Sequence, residues 1–98
     1  MITIGMNYEV LEDKEAVFER AFNRVLEVMR EMKGHHESRL YRDVKARRSY
    51  LIVSEWTDQD AFDRFIRSEQ FAKVTTWGKE QVLSGPPNHQ IYGASSVA

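Results

Sequence analysis

A chain of 98 residues, 42% hydrophobic and 30% charged, reads as one globular domain and not as a disordered segment. Its formal net charge of −1 gives no long-range pull toward nucleic acid or an acidic membrane surface, and zero cysteines exclude disulfides, thiolate catalysis and cysteine-held metal. No apolar run nears the roughly 20 residues of a membrane span, and the opening MITIGMNYEV lacks a basic-then-apolar leader pattern, so no membrane contact and a cytoplasmic setting are expected.

Residues 2–10 alternate, which predicts a first strand: Ile2, Ile4, Met6, Tyr8 and Val10 share one face, and Thr3, Gly5, Asn7 and Glu9 the other. If helices cover the second face, the small Thr3 and Gly5 leave room beneath them, and Asn7 points into that room. Leu11–Lys14 turns the chain, with Asp13 as N-cap of a helix running to about Lys33. Phe18, Phe22, Val25, Met29 and Met32 form its apolar stripe, and Gly34 supplies a left-handed position after it.

His35–Val44 and Ser49–Trp56 read as two strands of a hairpin joined by the polar turn Lys45–Arg48. The unbroken run Leu51-Ile52-Val53 suits a strand covered on both faces. Thr57 stands three residues before Asp60, an arrangement that can cap a second helix over about Asp58–Arg67. Ser68 is the N-cap of a third helical piece near Glu69–Leu83, which Ser84-Gly85-Pro86-Pro87 stops. Asn88–Tyr92 suffices for a last strand, giving a single domain over 1–93 and a loose tail over 94–98.

The order β-α-β-β-α-β predicts an α+β, ferredoxin-like fold: a four-stranded antiparallel sheet with its helices on one face. The other face is then bare, carrying Ile2, Ile4, Met6, Tyr8 and Val10. A monomer seldom exposes so large an apolar face, so the expectation is a homodimer closed through the two sheet faces.

Few residues suggest chemistry. The Asn7 amide can hold a substrate oxygen or a developing enolate by its N–H, or can be satisfied by neighbouring backbone. Trp56 and Trp77 are aromatic walls suited to a flat ligand, Trp56 also fitting plain packing at a strand end. His35 and His36 are adjacent on an extended chain and point oppositely, so they form no joint metal site, although one can face a cleft as a proton acceptor. The sequence has no zinc or serine-hydrolase motif and no glycine-rich phosphate or dinucleotide loop. The basic stretch of Arg39, Arg42, Lys45, Arg47 and Arg48 is interrupted by Asp43 and reads as a solvated hairpin, with no nucleic acid partner.

Tyr50-Leu51-Ile52-Val53-Ser54-Glu55-Trp56, then Asp60-Ala61-Phe62 with Phe65, Ser68 and Phe71, resembles the antibiotic biosynthesis monooxygenase family over about residues 1–92. That family of dimeric α+β barrels includes quinol, anthrone and heme-degrading monooxygenases. The resemblance implies a cofactor-independent monooxygenase acting on a small electron-rich aromatic in a cleft between helices and sheet. Asn7 would steady the oxyanion and His36 act as base, with Trp77, Phe65 and Trp56 against the substrate. In heme-degrading members the first strand carries an asparagine, matched by Asn7. Their helical tryptophan is replaced here by Phe65, and their iron-ligating histidine by Val74 or Thr75. Heme binding without the usual proximal imidazole is thus the alternative, and a non-catalytic dimer binding a small ligand is the third reading.

Overall fold

Alternation at the N-terminus does produce a strand, β1 (Ile2–Glu9), and the rest of the sheet forms around it. The structure is a computed structural model that describes residues 1–85 and the backbone of 88–92. After β1 come α1 (Glu15–Arg30), β2 (His35–Arg42), β3 (Ser49–Trp56), α2 (Gln59–Ile66), α3 (Glu69–Gln81) and β4 (Asn88–Tyr92). The strands lie in the order β2-β3-β1-β4, and each neighbouring pair is antiparallel. The architecture is α+β and ferredoxin-like. The expected Pro86-Pro87 stop and the 94–98 tail lie outside the described residues.

The two sheet faces are reversed from expectation. Ile4, Met6 and Val10 are buried in the core with Phe18, Phe22 and Met29 of α1 and Phe62 and Phe65 of α2. The helices therefore cover the apolar row of β1, and Asn7 and Glu9 are exposed on the outward side. The reason lies in the helices' own stripes: they need apolar cover of matching area, and Ile2–Val10 is the face that offers it. Strand β3 follows the same rule. Tyr50, Ile52, Ser54 and Trp56 are buried, while Leu51, Val53 and Glu55 between them are half-exposed, so the apolar run is covered on one face only.

Local signals differ in smaller ways. Asp13 is not the cap of α1; it takes a left-handed turn position at φ 66°, which an aspartate tolerates, and Lys14 precedes the helix without a side-chain cap. Asp58, not Thr57, caps α2, its carboxylate accepting from the Ala61 N–H at 2.9 Å. Ser68 caps α3 as expected, accepting from the Phe71 N–H at 3.2 Å. Helix α1 ends at Arg30, and Gly34 takes φ +94° beyond it. A bulge between His35 and Glu37 sets His36 outside the β2–β3 register.

Candidate functional site

The core falls into two clusters, one around Trp56 and Phe65 and one around Phe18 and Tyr50. Between sheet and helices, lined by members of both, lies a cavity of about 60 Å³. Strand β1 supplies Met6 and Tyr8 to its wall, α1 Phe22, α2 Phe65, and α3 Val74, Thr75 and Trp77. Alternation explains the first pair, because Met6 and Tyr8 follow Ile4 on the row the helices cover. Helical spacing explains the last, since Val74 and Trp77 stand three apart and share one face of α3.

Almost all of this wall is apolar. Tyr8 is its one titratable side chain among the described residues. The ring lies 5.4 Å from Phe18, whose ring lies 4.7 Å from Tyr50. The Tyr8 hydroxyl donates to the Met6 thioether at 3.8 Å, a weak acceptor that leaves the phenol free to take a better partner. Burial pushes its pKa from 10.0 up to about 12. At neutral pH Tyr8 is therefore a donor and not a base. Thr75 and Trp77, which also carry polar groups, line the same wall.

Of the residues expected at the site, Trp77 and Phe65 line the cavity, and three do not. Asn7 is exposed on the open sheet face, opposite Leu51 and away from the helices. His36 is also exposed, its Nε2 3.0 Å from Thr57 Oγ1 at the β2 bulge. Trp56 has no exposed surface and packs edge-on against His35 at 4.9 Å and Phe62 at 5.9 Å. It is core, and its indole N–H is buried without a hydrogen-bond partner among the described residues. Asn7 and His36 are thus not brought together, and neither reaches the cavity. Tyr8 was missed. A phenol placed on an otherwise apolar row is the signal that could have found it.

Among the described residues the wall offers heme no imidazole ligand. Val74 and Thr75, which stand where heme-degrading proteins are expected to carry their histidine, both line the cavity, and no imidazole of the described residues does. Among the described residues no group of three His, Cys, Asp or Glu side chains is placed to hold a metal ion, and no helix is long and apolar enough to cross a membrane.

Comparison with known proteins agrees with this geometry at the level of the fold. A protein of Halobacterium salinarum named "putative heme-binding protein" is 33% identical over 87 residues, 89% of this chain but 18% of that protein. This chain thus spans less than a fifth of the length of the curated relatives it matches. Among solved structures, SnoaB, a cofactor-independent oxygenase from Streptomyces nogalater, superposes with a TM-score of 0.81 at 25% identity, covering 95% of this chain and 91% of that one. A conserved protein from Methanosarcina mazei superposes with a TM-score of 0.85 at 21% identity, covering 94% and 90%. The antibiotic biosynthesis monooxygenase model matches residues 1–77, most of the chain, and this protein belongs to that family.

Proposed function

We propose that this chain is a cofactor-independent monooxygenase that oxidises a small electron-rich aromatic, quinol- or anthrone-like, in the cavity beneath α1 and α3. The observation that carries the reading is an apolar cavity whose one titratable group among the described residues is a phenol held neutral. A water-poor wall favours O2 and a delocalised substrate anion over a solvated ion pair. Tyr8 donates a hydrogen bond to the substrate's oxygen as charge develops there. For an anthrone-like substrate, which loses its proton to water before it enters, the carbanion passes an electron to O2, the radical pair combines to form a C–O bond, and the peroxide anion takes a proton back from solvent. Loss of water from the resulting hydroperoxide leaves a carbonyl: one CH2 and one O2 become one C=O and one H2O.

O2 uptake by the purified protein across a panel of quinols and anthrones tests this. Tyr8→Phe should lower kcat by about ten- to a hundredfold while changing KM less. No uptake with any member of the panel defeats the reading, and an undiminished Tyr8→Phe rate defeats the role given to Tyr8. Heme binding is the second reading, supported by the relatives' name and opposed by the wall; a Soret titration separates the two.

Assembly as a homodimer through the sheet is part of the proposal, but the face differs from the one expected. The face left open by the helices carries half-exposed Thr3, Leu51 and Val53, with Tyr41 50% exposed beside them. Glu37, Arg39 and Glu55 punctuate it, with Arg39 and Glu37 paired at 2.9 Å. A second copy supplies cover for this mixed surface and a counter-charge for each charged residue.

A further inference from the structure

Trp77 and Val74 both border the cavity and a groove outside it. Inward they line the cavity; outward, with Ala21, they line an open groove of about 250 Å³ between α1 and α3 that also carries Arg24 and Lys73. The indole is thus a partition between an apolar interior and a groove whose charged residues are both cations. Arg24 makes no ion pair among the described residues, and Lys73 meets Glu69 at 3.8 Å in an exposed pair of little strength. On the other side of Trp77 the surface changes sign: Glu69 and Glu80 border the hollow there, with Lys73 the one cation. Positive charge is therefore concentrated on the side that leads inward.

We propose that this groove is the mouth of the cavity and that it selects an aromatic carboxylate, with the ring passing Trp77 and the carboxylate remaining outside against Arg24 and Lys73. The inference rests on the reading of the cavity as an aromatic site. At about 60 Å³ the interior is too small for a ring, and joining it to the groove supplies the missing space. That requires the half-buried indole to turn aside. It sits on the helix best able to yield, since Gly78 is the one buried residue of α3. Charge fixes the orientation. A carboxylate inside the cavity would lose its hydration and meet no cation among the described residues, whereas at the mouth it keeps water and gains two cations. The ring then enters with its uncharged end toward Tyr8.

Binding of 2-naphthoate and of its neutral methyl ester, followed by tryptophan fluorescence, tests the mouth. The acid should bind more tightly than the ester at low ionic strength, by about tenfold. It should weaken about threefold in Arg24→Gln or Lys73→Gln and about tenfold in the double variant, and lose the advantage in about 0.5 M salt. The ester should be indifferent to all three changes, and Trp77→Phe should abolish most of the fluorescence response. Equal binding of acid and ester, or an unchanged double variant, overturns the charged mouth while the aromatic site stands. Binding of neither ligand overturns both.

Discussion

Gly34→Ala probes the junction that aligns α1, β2 and α2. Gly34 sits at φ +94°, a region that costs an L-residue about 1–2 kcal/mol. A Cβ there would also lie 2.5 Å from the Cβ of Ala61, itself 1% exposed and held by the Asp58 cap. Relief of that contact means moving α2 off the sheet or Gly34 away from Thr57, whose N–H bonds the Gly34 carbonyl at 2.7 Å. Overpacking of this kind costs about 1–3 kcal/mol, so the total is about 2–5 kcal/mol. For a domain of this size that lowers Tm by at least about 8 °C. Urea titration of four proteins checks it: wild type, Gly34→Ala, Ala61→Gly and the double variant. Ala61→Gly removes the atom the new methyl meets, so the pair should couple favourably by about 1–3 kcal/mol, leaving the backbone cost behind. Gly85→Ala, where a Cβ meets nothing within 4 Å, is the control and should be nearly neutral. A loss below about 0.5 kcal/mol in Gly34→Ala, or zero coupling, would refute the reasoning.

Two further outcomes follow from the open face and from His35. Val53→Asp places a charge amid the half-exposed apolar residues of β3 and should convert a sedimenting dimer to a monomer without unfolding it; wild type that sediments as single chains removes the proposed interface. The His35 pKa is held below 6.5, first by burial, then by repulsion from His36 and Arg30, with Glu37 opposing. The unfolded chain thus binds more protons than the folded one just below pH 6.5, and stability should fall as pH drops through that value. Urea midpoints at about pH 5.5 and 7.5 should differ in that direction, and by less in His35→Gln; an undiminished difference in the variant places the effect elsewhere.

Much of the fold was legible because periodicity is local. The stripe through Phe18, Phe22 and Met29, the alternation of β1 and the Ser68 cap all depend on neighbours within a few residues, and each forms. Caps with nearby rivals were harder. Thr57 and Asp58 are both competent, and the geometry chose Asp58 while the Thr57 hydroxyl met His36. At the site, Trp77 was readable as a residue off the main stripe of its helix. Tyr8 was hidden by its company, since a phenol among Ile4, Met6 and Val10 counts as apolar in any alternation.

Alternation states that two sets of side chains lie on opposite faces of a strand, and it is symmetric between them. The chain alone therefore determined the elements, their order and the family pattern around Trp56. Which face of β1 turned inward was decided when α1 and α2 had to bury their apolar surface against one side of a single sheet. That choice sent Asn7 outward and Tyr8 inward, and it put Trp77 between a greasy interior and two cations from different helices. Burial is a property of the whole packed chain, and so is the chemistry that burial permits.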